Sequence, residues 1–150
     1  MDGQRDGAVV GEAPDDLARR VAAAMYERDA AAQALGIDVL EVSEARATLT
    51  MRIRPDMLNG HAIAHGGIVF ALADTAFAYA CNSRNEPTVA LQCSISFSRP
   101  GRGGELLTAR AEERTRTRRT STYDITVTGE DGEIVALFRG TGYRRDGTYL

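Results

Sequence analysis

The chain has 150 residues, 43% of them apolar and 26% charged, with a formal net charge of −3. That length and balance suit one globular domain with one core, and they argue against wholesale disorder or a global basic field for nucleic acid. All 18 basic residues are arginine, which excludes a Walker A loop and a pyridoxal Schiff base, since both need lysine.

Residues 1–13 are rich in Gly, Asp and Glu and read as a flexible tail. Pro14-Asp15-Asp16 opens a helix with acidic residues in its first turn. Leu17, Val21, Ala24, Met25 and Ala32 form its apolar stripe, and Gly36 terminates it. Ile37 to Val42 and Ala47 to Arg54 are expected strands, joined by a turn at Ser43-Glu44-Ala45. Asp56 to Gly67 reads as a glycine-rich loop. Ile68 to Asn82 is apolar or small throughout, the pattern of a buried helix.

From Thr88 the period returns to two. Val89, Leu91, Cys93, Ile95 and Phe97 alternate with small and polar residues. Leu106 to Glu113, Thr120 to Thr128 and Ile134 to Tyr143 are three more expected strands, with Asp131-Gly132 at a hairpin. The order is helix, two strands, a buried helix, then four strands. A curved antiparallel sheet wrapped around one long central helix is an α+β architecture, the hotdog fold. It occupies 14–150 as a single domain.

No stretch reaches the length of a membrane span: the longest apolar run, Ile68 to Cys81, is interrupted by Asp74. No secretory leader is expected. Cys81 and Cys93 are too few for a disulfide framework, so a reducing cytoplasm is the expected compartment. His61 and His65 are the only histidines. Their spacing would need a helix and a third ligand to hold a metal, and their glycine-rich surroundings argue against the helix, so no metal site is expected.

Asp74 is the anomalous residue of the apolar helix. A lone buried carboxylate costs several kcal/mol unless paired or protonated. It is either a catalytic group or an aspartate on an exposed face or bonded to a neighbouring strand. His65-Gly66-Gly67 directly precede the helix. Free N–H groups at a helix N-terminus stabilise an oxyanion, although two glycines also make a tight turn. Asn59 can orient a water or a carbonyl, or serve the turn. Arg99, Arg102, Arg114, Arg116, Arg118 and Arg119 form either a solvated face balanced by Glu105, Glu112 and Glu113, or an anion site centred on Arg118-Arg119-Thr120. Phe70, Phe77 and Tyr79 are candidates for an acyl pocket and for the core alike.

Spacing constrains how these groups can act together. Gly66 and Asp74 are eight positions apart, about 12 Å along a helix. A base or nucleophile and an oxyanion donor must both lie roughly 3 Å from the reacting group. If both act on one carbonyl, they come from two chains related by a two-fold axis.

The run Asn59-Gly-His-Ala-Ile-Ala-His65-Gly66-Gly67, with Leu72-Ala-Asp74-Thr-Ala-Phe-Ala-Tyr-Ala-Cys-Asn-Ser83 and Phe97-Ser-Arg-Pro100, closely resembles the hotdog-fold acyl-CoA thioesterases. Within them it is most similar to the phenylacetate-pathway (PaaI-like) branch. The resemblance runs from about Ala18 to Tyr143. It implies Asp74 as catalytic carboxylate and Gly66 as oxyanion donor. It further implies Asn59 beside the thioester or attacking water, and His65 as a positioning residue of the catalytic set. Gly67, Arg118, Arg119 and Thr120 are the expected substrate-binding residues. Ala64 stands where the family commonly has cysteine, a change that removes no required group.

The implied activity is hydrolysis of small, aryl-acetyl CoA thioesters such as phenylacetyl or hydroxyphenylacetyl CoA. No cofactor is implied beyond the coenzyme A of the substrate. The implied assembly is a dimer with shared sites, further paired into a homotetramer. A hydratase or dehydratase using Asp74 with His65, or a non-catalytic acyl-CoA-binding module, are the competing readings.

Overall fold

The computed structural model describes residues 11–150. The tail expected over residues 1–13 therefore falls mostly outside the described residues, and 11–13 are exposed coil. The first helix is divided in two, α1 (Pro14–Arg28) and α2 (Ala30–Ala34). Asp29 leaves helical geometry at φ −89°, ψ 74° and accepts the Ala32 N–H at 3.0 Å, so one residue ends α1 and caps α2. The buried stripe of α1 is Ala18, Val21 and Ala22 rather than one that includes Leu17 and Ala24. Gly36 takes φ +65°, the left-handed terminator expected there.

Strands β1 (Asp38–Ser43) and β2 (Arg46–Arg52) follow. Ala47, Leu49, Met51 and Ile53 are all buried, as their alternation predicts. A 3₁₀ turn at Pro55–Met57 spans the start of the expected loop. Helix α3 (Gly66–Cys81) begins two residues earlier than the apolar pattern suggests, so both glycines are its first turn. Strands β3 (Thr88–Phe97), β4 (Leu106–Arg116), β5 (Thr120–Thr128) and β6 (Ile134–Arg144) complete one antiparallel sheet in the order β1-β2-β4-β5-β6-β3.

The sheet curls around α3. Leu72, Ala73, Ala76, Phe77 and Ala80 of the helix face Leu49, Leu107, Ile125 and Val127 of the strands in one core. Phe77 stands edge-on to Tyr123 with ring centroids 5.7 Å apart. It also presses on Gly140, where a Cβ would meet the ring at 3.0 Å. Phe77 and Tyr79 are thus core residues, 1% exposed each. Phe70 is half-buried against Phe138.

Strand β3 departs from its sequence pattern. It is an edge strand, bulged between Ala90 and Gln92, and Val89, Leu91 and Phe97 are 48%, 63% and 54% exposed. Cys93 and Ile95 pack half-buried against the core, while Val89, Leu91 and Phe97 stay open within the chain. A long apolar edge with free backbone groups is a template for strand pairing.

Candidate active site

The N-terminus of α3 is built by a short, tightly bonded loop. Asn59 Oδ1 accepts the N–H groups of His61 at 2.9 Å and Ile63 at 3.4 Å. The Asn59 N–H bonds the Ile63 carbonyl, the Ala62 N–H bonds the Asn59 carbonyl, and Ala62 takes φ 58°. The Ala64 and His65 N–H groups are held by the carbonyls of Gly101 and Met57. Asn59 therefore has two uses. Its oxygen shapes the loop, and its amide nitrogen meets no acceptor among the described residues.

His65 is the N-cap of α3. Its Nδ1 accepts the Gly67 N–H at 3.0 Å, and its carbonyl accepts from Ile68 and Val69. With Nδ1 as the acceptor, Nε2 is the ring nitrogen left to donate. The Gly66 N–H, first of the helix, has no acceptor among the described residues. It is a free donor at the positive end of a helix of 16 residues.

Asn59 and Gly66 line one cavity of about 370 Å³, together with Val69, Phe97 and Val135. Asp74 is not among its walls. It stands two turns further along α3, half-buried, with no hydrogen-bond or ion-pair partner among the described residues. Burial raises its carboxyl pKa above the ordinary 3.8. Burial, followed by the Asp74 charge, also raises the Cys93 thiol on β3. Within one chain the structure brings Gly66, Asn59 and His65 together and holds Asp74 apart from them.

The arginines do not form one cluster. Arg99 binds Glu105 and Asp131, Arg114 faces Asp124, and Arg116 binds Glu86. Arg119 is held by Asp146 at 2.8 Å and by the Arg144 carbonyl at 3.3 Å. Arg118 has no ion-pair partner among the described residues. Glu112 and Glu113 pair with Arg46 and Arg84 instead of the neighbours expected from sequence. Arg118, Arg119 and Thr120 form the β4–β5 turn beyond the other end of α3, beside Cys81 and Arg84. Among the described residues no group of three metal-ligating side chains occurs, and no helix is long and apolar enough to cross a membrane.

The residue that sequence reasoning missed is Phe97. Its ring lies on Gly66, where a Cβ would come within 3.1 Å of Cζ. In the sequence it is one more apolar position of an alternating strand.

Residues 61–136 match the Thioesterase superfamily. The chain is 51% identical to Acyl-coenzyme A thioesterase PaaI of Escherichia coli K12 over 83% of this chain and 89% of that protein. Its fold matches the solved structure of E. coli PaaI, a protein of the phenylacetic acid degradation operon, with a TM-score of 0.89 at 48% identity, covering 91% of this chain and 99% of that one. A single-residue variant of phenylacetic acid degradation protein PaaI from Thermus thermophilus matches at 45% identity and TM-score 0.74, over 76% and 97% of the two chains. The smu.793 protein of Streptococcus mutans UA159, solved bound to acetyl CoA, matches at 26% identity and TM-score 0.72, over 75% and 90%.

Proposed function

The chain belongs to the thioesterase superfamily and is an acyl-CoA thioester hydrolase, and on that premise we propose that it cleaves small aryl-acetyl CoA esters at sites shared by two subunits. The observation that carries this reading is the free Gly66 N–H, which lines the same small cavity as Asn59 while Asp74 stays about 12 Å away along the helix. Antiparallel α3 helices related by a two-fold axis level with Phe70 set residue 66 of one chain opposite residue 74 of the other. The uncovered apolar edge of β3 supplies a surface for such a pairing.

In the proposed site the Gly66 N–H holds the thioester oxygen and stabilises it as negative charge develops. The partner's Asp74 either attacks the carbonyl carbon or takes a proton from the water that does. The C–S bond then breaks, and the CoA thiolate leaves and is protonated; where Asp74 is the nucleophile, water then hydrolyses the acyl anhydride left on it, releasing the acid and restoring the carboxylate. Asn59 offers its amide nitrogen beside the same carbonyl. The exposed Arg118 and the half-buried Arg119 meet the CoA phosphates. This chemistry calls for no metal or redox cofactor. A homotetramer of two such dimers in the cytoplasm is part of the same proposal, in keeping with two free cysteines.

The aryl-acetyl preference rests on kinship with PaaI proteins of phenylacetic acid degradation. A panel of phenylacetyl, hydroxyphenylacetyl, benzoyl and aliphatic CoA esters with thiol detection tests it. The highest kcat/KM is expected for the aryl-acetyl esters. A preference for long aliphatic esters overturns the assignment. Release of thiol with the acyl α,β bond unchanged separates hydrolysis from hydration.

A further inference from the structure

Gly66 takes no left-handed dihedral, so its backbone alone does not demand glycine. What excludes a side chain is the Phe97 ring, three of whose carbons lie 3.1 to 3.6 Å from the Cβ position. The ring is held in place through its backbone. Phe97 pairs with Ala136 on β6, and the next N–H, of Ser98, bonds the Val135 carbonyl at 2.8 Å. Yet 54% of the residue remains exposed, an unusual state for a large aromatic in a structured strand.

The cavity beside it is walled by Ile63, Ala64, Val69, Phe97, Pro100 and Val135. At about 370 Å³ it lies near the small end of ligand pockets, roughly 300 to 1,000 Å³. A thioester carbonyl held by the Gly66 N–H directs its acyl group along this wall. Aromatic rings packed edge-on or offset attract each other beyond what buried area alone provides.

We propose that Phe97 is the specificity-determining residue for the acyl group: its ring, seated on the oxyanion glycine and walling the adjacent cavity, packs against aryl-acetyl groups and favours them over aliphatic chains of similar size. This deepens the thioesterase reading and rests on it. Phe97 takes no part in proton transfer or attack.

The test compares phenylacetyl CoA with hexanoyl CoA in the full-length enzyme and in Phe97→Leu, Phe97→Met and Phe97→Tyr. Replacement by Leu or Met is expected to lower the ratio of kcat/KM for the phenylacetyl ester to that for the hexanoyl ester about three- to tenfold. Phe97→Tyr keeps the wild-type ratio. A purely structural role would lower both substrates together and leave the ratio unmoved, which overturns the inference for Phe97 alone. Absence of thiol release from either ester by the wild-type enzyme overturns the thioesterase reading and this inference with it.

Discussion

The Nδ1 of His65 accepts the Gly67 N–H at 3.0 Å, and that bond decides which donor at the head of α3 stays unoccupied. One N–H of the first turn is taken by the chain's own imidazole, while the Gly66 N–H beside it stays free. His65 thereby acts as an N-cap, a role more common for Asn, Asp, Ser and Thr. His65→Ala removes the acceptor and is expected to lower unfolding stability by about 1 kcal/mol, read as a lower urea midpoint. His65→Asn restores an acceptor at the same place and is expected to keep kcat within about threefold of wild type. If His65 exchanged protons with substrate, as in the hydratase reading, Asn would lose about a factor of 10² or more, like Ala.

In the proposed site Asp74 joins activity and instability in one group. Burial raises its folded pKa above the ordinary 3.8, so the folded protein binds this proton more tightly than the unfolded chain. Stability from this group is greatest below 3.8 and falls as pH rises through the raised folded pKa. Asp74→Asn is therefore expected to have a higher urea midpoint than wild type at pH 7. The gap closes as pH drops below about 4, where both wild-type states are protonated. The proposed mechanism requires the carboxylate, so the acid limb of kcat/KM is expected above the ordinary aspartate value of 3.8. Asp74→Asn loses a factor of about 10² to 10⁴ in kcat. A folded Asp74→Asn protein with near-normal kcat removes Asp74 from the mechanism.

The order of the strands, the buried helix and the inward face of β2 were legible from hydrophobic period alone. The eight-position spacing of Gly66 and Asp74 on one helix was legible as well. Three features were not. The break at Asp29 interrupts a stripe that reads as continuous, because a side-chain cap leaves no mark on periodicity. The exposure of β3 was hidden because alternation reports that a face is buried somewhere, not whether its cover comes from the same chain. The Phe97–Gly66 contact joins residues 31 positions apart, and only the curl of the sheet past the head of α3 brings them together. The pairing of the arginines was not legible either. A β-bulge between Glu113 and Thr115 interrupts the alternation of β4 beside Arg114, which faces Asp124, whereas Arg116 reaches Glu86.

Arg118 and Arg119 differ in what holds them, and the difference is testable. Arg119 is engaged by Asp146, whereas Arg118 has no ion-pair partner among the described residues. Replacing both with alanine is expected to raise KM for CoA esters by up to about tenfold at low salt, with a smaller effect on kcat. Ionic strength should erase most of the difference, since exposed charges are screened. Thioesters of N-acetylcysteamine, which lack the nucleotide phosphates, should show no change. Equal losses on both kinds of ester would assign these arginines to the fold instead.

Sharing of each site between two chains makes a quantitative prediction. Gly66→Pro deletes the donor N–H at a helix position that tolerates proline, and His65 at ψ 130° already has the geometry a following proline requires. Proline also introduces a Cβ against the Phe97 ring, so Gly66→Ala, which carries that Cβ and keeps the N–H, is the reference. The proline variant is expected to lose about 10² to 10³ in kcat beyond the alanine variant. Gly66→Pro and Asp74→Ala are then each inactive as homodimers. In a two-fold dimer formed from one of each, one site receives both defects and the other receives none. Random mixing at equal amounts makes about half the dimers mixed, each with one intact site of two, so activity returns to about a quarter of wild type. Native mass spectrometry verifies that subunits have exchanged. If both groups act within one chain, every site of the mixed dimer carries one defect and no activity returns, which would require α3 to bring Gly66 and Asp74 closer than two helical turns allow.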